Sequence, residues 1–275
     1  MMNGKNVFRS HFEGILHYWE RCQDRETGGC HHLIDSTGTV LPSPNRVILI
    51  QARQLYNYAE GIRAGHEFCR EHAAHLYDFM TGRLRTPGGW YTSLIDGALL
   101  AENALDTYMN LFVVLAMARY AQASGRADVR AEAWRLFRLV EEKTIPGDLR
   151  RDGVLGGWGD GGRGFPPMGM FAGNNVLHYL EALICLRDAG LEAALGDRVF
   201  AVRDFFLARI LDPVEFVTPD NFRDGFHNPD RRPGAYVSLA HGLEWFGFFR
   251  EWPGAELPEA TERALLDKAL HNAVE

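Results

Sequence analysis

At 275 residues, with 46% hydrophobic and 24% charged positions, the chain lies in the ordinary globular range, can bury a large core as one or two domains, and is not expected to be disordered. Its formal net charge of −7 offers no basic footprint for a nucleic-acid backbone. No stretch approaches the roughly 20 apolar residues of a membrane span, and the N-terminus MMNGKNVFRSHFEGILHYW lacks the apolar core and small-residue cleavage site of a signal peptide, so a cytoplasmic protein is expected.

Taken in chain order, helical periodicity predicts helices near 8–22, 46–64, 66–83, 104–124, 127–143, 172–189, 193–211, 236–251 and 258–273. Ile48, Leu55, Ala59 and Ile62 mark the apolar face of the second, and an Ala- and Leu-rich run from Leu111 to Ala123 fills the fourth. Strand alternation is scarce. Cys22, Cys30, Cys69 and Cys185 are scattered with no CxxC pair and read as reduced thiols.

A second regularity lies between the helices. Gly28-Gly29, Gly88-Gly89 and Gly156-Gly157 each follow a helix, at separations of 60 and 68 residues. One helix pair per unit at this period is the mark of a repeat architecture, either an open solenoid or a closed toroid of hairpins. Polar residues favour the toroid. Arg53, Tyr108, Asn174 with His178, and His241 with Glu244 fall in the early turns of the second helix of successive pairs. In a ring those second helices form the inner wall, and the side chains would surround a small-molecule cavity.

The segments RVILIQARQLYNYAEG (46–61), LDTYMNLFVVLAMARYAQASG (105–125), NNVLHYLEAL (174–183) and SLAHGLEWFGF (238–248) resemble, in order, the signatures of the superfamily of N-acylglucosamine 2-epimerases, cellobiose 2-epimerases and aldose-ketose isomerases. The resemblance implies an all-α, (α/α)6-type barrel that interconverts sugars next to the carbonyl with no redox cofactor and no metal. By position, the arginine of the QAR motif is Arg53, the tyrosine of the next inner helix is Tyr108, the Asn and His four apart are Asn174 and His178, and the motif AHGLEW supplies His241 and Glu244. Val176 stands where the family often has a further histidine. About nine helices are predicted where the family has about twelve. Residues 1–275 are therefore expected to form a single, C-terminally incomplete toroid domain lacking the second catalytic histidine, so that the chain alone need not be active.

The implied chemistry removes the proton beside the carbonyl of an open-chain mono- or disaccharide and returns one to the enediolate. Histidine suits this because its ordinary pKa near 6.5 lets it accept and donate at neutral pH. His241 is the expected base. Glu244, three residues on, shares its helix face and is placed to orient the imidazole or hold a hydroxyl. Arg53 would put a fixed positive charge near the developing oxyanion. Asn174 and His178 would bind hydroxyls or assist ring opening, and Tyr108 and Trp90 would wall the sugar. Each has a structural rival: a satisfied core histidine, an ordinary ion pair for Arg53, and packing for Trp90 and Tyr108.

Two alternatives stay open, an (α/α) barrel glycoside or unsaturated-uronide hydrolase working through paired carboxylates, and a non-catalytic sugar-binding fragment. A homodimer is admitted as an assembly. Gly157, Gly159 and Gly162 satisfy GxGxxG but have no βαβ context, and His31-His32 and the group His66, His72 and His75 lack HExxH spacing; these read as a loop and as solvated histidines.

Overall fold

The computed structural model describes residues 4–100, 106–144, 171–223, 226, 228–229 and 239–274. The Gly156-Gly157 pair and the GxGxxG spacing lie outside the described residues, as do the first positions of the helices expected from 104 and 236.

The described helices are α1 (Gly4–Glu20), α2 (Ile48–Arg63), α3 (Cys69–Arg83), α4 (Thr107–Ser124), α5 (Ala127–Thr144), α6 (Gly173–Leu186), α7 (Glu192–Leu195), α8 (Arg198–Phe205), α9 (Leu239–Arg250) and α10 (Glu259–Val274). Short antiparallel strands join them: β1 (Leu33–Ile34) with β2 (Val40–Leu41), β3 (Leu94–Ile95) with β4 (Ala98–Leu99), and the order β5 (Phe171–Ala172), β6 (Asn221–Arg223), β7 (Asn228–Pro229). The single helix expected over 193–211 is instead α7 and α8, with a π turn at Phe206–Ile210. Gly196 separates them at φ 57° and ψ −139°, a conformation that glycine alone adopts without strain and that cannot continue a right-handed helix.

The chain gathers into two compact units, one of residues 1–105 and 112–136, the other of 106–111 and 137–275. In the first, α2 packs along α3. Ile48, Leu55 and Ala59 are fully enclosed, and α3 buries Cys69, Ala73, Leu76 and Met80, which recur at helical spacing. Each large apolar side chain so enclosed is worth about 1.5–3 kcal/mol. The repeat is visible here as helix, double glycine, two-residue strand hairpin, helix. A bridge between Arg46 and Leu94, with N–H to O distances of 2.8 and 2.9 Å, ties the two hairpin regions together.

Arg46, 2% exposed, is the hub of this unit. Its guanidinium donates to the carbonyls of Gly28, Ser43 and Asn45, to Thr27 Oγ1 and to the Asp24 carboxylate. The expected solvated histidines are braces instead. His72 Nε2 lies 3.1 Å from Glu20, His75 Nε2 meets the main chain of Gly29, and His31 Nδ1 accepts from the Ser43 N–H.

In the second unit α6 packs against α8 and α9, and α9 against α10. Trp245 of α9 sits 4.7 Å from Phe206 and 5.7 Å from Phe249 between ring centroids. Glu141 is buried but satisfied: Tyr179 Oη donates to it at 2.7 Å, and Arg198 at 2.6 and 3.0 Å. No helix among the described residues is long and apolar enough to cross a membrane. All four cysteines are buried, and none forms a disulfide.

Candidate active site

Helix starts carry the polar residues of the second unit. Asp106 begins α4 by accepting the Met109 N–H on its carboxylate at 3.0 Å, an N-cap worth about 0.5–2 kcal/mol that fixes the turn bearing Tyr108. Burial pushes the Asp106 carboxyl up, against the pull of the Met109 and Tyr108 N–H groups. The Tyr108 ring meets the His178 imidazole edge to face, centroids 5.3 Å apart at 73°.

Helix α6 starts differently. Ala172 gives it no side-chain cap, and the Gly173 N–H is taken by the main-chain oxygen of Asp220 at 2.9 Å. The approach is close enough that a Cβ on Gly173 would lie 3.0 Å from the Pro219 carbonyl and 3.3 Å from the Phe222 ring. The next residue is Asn174, whose Oδ1 is buried with no hydrogen-bond partner among the described residues. One turn further, His178 is buried with Nδ1 2.9 Å from Glu181 Oε2. Val176 is fully enclosed, so the position where the family often carries another histidine belongs here to the core.

His241 sits in the first turn of α9, four residues before the buried Trp245, and the burial of that tryptophan turns the same helix face inward. Its side chain is 20% exposed, with Nδ1 2.7 Å from Asp220 Oδ1. The hydrogen bond with Asp220 raises the imidazole above its ordinary 6.5; partial burial opposes this, and the charges of Asp220 and Glu244 add to it. Glu244 itself is exposed. The imidazole thus meets Asp220 through a hydrogen bond, and Glu244 acts on it through charge.

Arg53 and Trp90 belong to the first unit. Arg53 is exposed on α2, its guanidinium 4.6 Å above the Phe112 ring. Two residues before it, Gln51 is fully buried and holds both main-chain groups of Cys30, at 2.7 and 2.8 Å, which explains the first letter of the QAR motif. Trp90, 6% exposed, follows α3 in a loop closed by main-chain and hydroxyl bonds with Thr86.

Sequence reasoning missed two carboxylates. Glu181 carried a readable signal, since it lies three residues from His178 on one helix. Asp220 carried none: it precedes a short strand 21 residues before its histidine, in a segment without helical periodicity.

Successive helices joined through short strand hairpins, with polar side chains in their first turns, define an all-α protein of the (α/α)6 type. The cellobiose 2-epimerase of Spirochaeta thermophila has the same fold, with a TM-score of 0.78 at 22% identity over 97% of this chain and 70% of that one. A family 76 glycoside hydrolase from Bacteroides thetaiotaomicron shares it more distantly, with a TM-score of 0.66 at 12% identity over 94% of this chain and 56% of that one. The family profile of N-acylglucosamine 2-epimerase (GlcNAc 2-epimerase) matches residues 28–274, and the chain belongs to this family. It is 24% identical over 223 residues to a D-mannose isomerase of Thermobifida fusca, covering 77% of this chain and 54% of the relative. It is 25% identical over 213 residues to a cellobiose 2-epimerase of Ruminococcus albus, covering 75% and 53%. The chain spans about half the length of these curated relatives.

Proposed function

We propose that the chain carries the base of a sugar 2-epimerase or aldose-ketose isomerase acting on an open-chain mono- or disaccharide without a redox cofactor. The observation that supports this reading is the His241 imidazole, half-buried at a helix start and bonded through Nδ1 to a buried aspartate.

In this mechanism neutral His241 takes the proton from C2 of the aldehyde form. The C2–H electron pair moves into the C1–C2 bond and the carbonyl pair onto O1, giving the enediolate. Return of a proton to C1, with the O2 proton passing to O1 as the C2 carbonyl forms, yields the ketose. Return to the opposite face of C2 yields the epimer and calls for a second acid on that face. General acid-base help of this kind is worth about 10² to 10⁴ in rate. The motif assigns Arg53 to the charge on O1 and O2, a contribution of about 3 to 4 kcal/mol for a positioned donor. Asn174 and His178 are assigned to hydroxyl binding and ring opening, and Tyr108 and Trp90 to the walls. Glu244 adds negative charge that favours the protonated imidazole once the proton has been taken.

The test is exchange in D2O. D-mannose, cellobiose and other reducing sugars incubated with the protein should gain deuterium at C2, followed by NMR or mass spectrometry. His241→Phe should lower that rate by about 10² to 10⁴. An unchanged rate removes His241 from the mechanism, and release of a new reducing end from a glycoside, with no C2 exchange, replaces the reading with a hydrolase.

A further inference from the structure

We infer that Asp220 is the positioning residue of this site: it fixes the tautomer and direction of the His241 imidazole and ties that ring to the helix carrying Asn174 and His178. The inference deepens the proposed function and, for its catalytic consequence, rests on it.

Three observations carry it. First, one residue makes both connections. The main-chain oxygen of Asp220 receives the Gly173 N–H at 2.9 Å, and its side-chain Oδ1 lies 2.7 Å from His241 Nδ1. The start of α6 and the first turn of α9 are thereby referred to a single residue at the head of β6, whose Asn221 pairs with Ala172 of β5. Second, a carboxylate only accepts hydrogen bonds, so the ring must present Nδ1–H to it. In the neutral ring the lone pair then falls on Nε2, which is the protonation state a base at that nitrogen needs. Third, Asp220 is 3% exposed, and its Oδ2 is buried with no hydrogen-bond partner among the described residues. Glu141 in the same unit shows what a purely structural buried carboxylate looks like, with bonds to Tyr179 and Arg198 on its two oxygens. Among the described residues Asp220 has no such closure, and the imidazolium formed when His241 takes a proton would offset its burial.

Among the described residues, the charges acting on His241 are Asp220, from the segment leading into β6, and Glu244, from its own helix. Phe206 and Phe249 surround the neighbouring Trp245 with apolar surface.

The experiment uses ¹⁵N-histidine-labelled protein with no sugar present, the His241 signals being assigned by their loss in His241→Gln. In the wild type the neutral ring should be the Nδ1–H tautomer and titrate above 6.5. Asp220→Asn should mix the tautomers and lower the midpoint. In D2O exchange it should cut kcat by up to about 10⁴-fold, the effect of turning the aspartate that holds a catalytic histidine's tautomer into asparagine, with KM little changed. Asp220→Glu should recover part of kcat. Because any residue at 220 keeps the carbonyl that receives Gly173, the start of α6 survives these changes. An Nε2–H tautomer in the wild-type protein overturns the inference without any variant. So does an Asp220→Asn protein with unaltered tautomer, midpoint and kcat. If no sugar exchanges at C2 and the Asp220→Asn ring still changes tautomer, the positioning holds and the epimerase reading falls.

Discussion

Each unit holds an aspartate against a nitrogen base, and the two pairs differ in how completely they are closed. Asp24 faces Arg46 and also accepts from the N–H groups of Glu26 and Thr27 and from the Thr27 hydroxyl. Against the upward push of burial, those bonds and the arginine charge bring its carboxyl down to about 2. Arg46 directs its donors to five acceptors. Asp220 faces a histidine whose pKa its hydrogen bond raises above the ordinary 6.5, and one of its oxygens has no partner among the described residues. A closed pair with a permanent cation pins a loop; an open pair with a titratable partner can take up and release a proton. Burial does not distinguish the two pairs, since both aspartates are largely enclosed.

Breaking the closed pair should have the larger effect on stability. Arg46→Met leaves the largely enclosed Asp24 without its cation and should cost about 3–5 kcal/mol in denaturant unfolding, while the His241 titration stays where it is. A loss below about 1 kcal/mol would show that the pair does not hold the first unit together. Gly173→Ala attacks the other side, by driving a methyl group against the Pro219 carbonyl and the Phe222 ring. It should cost about 1–3 kcal/mol as an overpacking change. By displacing the residues next to Asp220 it should also lower the His241 midpoint, and an unaltered midpoint would detach the α6 contact from the imidazole.

The smallest effect is in pH. The folded protein raises the His241 pKa, so this pair stabilises fully below the ordinary 6.5, and its contribution is lost as pH rises through the folded value. The Asp24 pair has the opposite sign. Its contribution is complete above the ordinary carboxylate value of about 3.9 and is lost only as pH falls toward 2. The melting temperature of the wild type measured against Asp220→Asn should therefore fall slightly with rising pH between 5 and 8, whereas that measured against Arg46→Met should hold level.

Much of the fold was legible because helices repeat their apolar positions over many residues. Periodicity places one helix at 46–64 against the observed Ile48–Arg63, and the last at 258–273 against Glu259–Val274. It fails at 193–211, where the apolar pattern runs on through Gly196 although the backbone turns there. Strands of two or three residues are too short for alternation to register, so the hairpins that follow the first two double glycines were unreadable. The same length scale governs the site. Helix-borne His178 and His241 stand in motifs with fixed spacing, and Gln51 shares one with Arg53. Asp220 acts through tertiary contact, from a segment with neither repeat nor motif.

The cysteines have a consequence of their own. Cys22, Cys30 and Cys69 lie in the first unit and Cys185 in the second, each with no contact to solvent. A thiol so enclosed meets an alkylating or oxidising reagent only when the backbone around it opens. Each unit therefore holds its own silent sulfhydryl clock, started by the loosening of that unit.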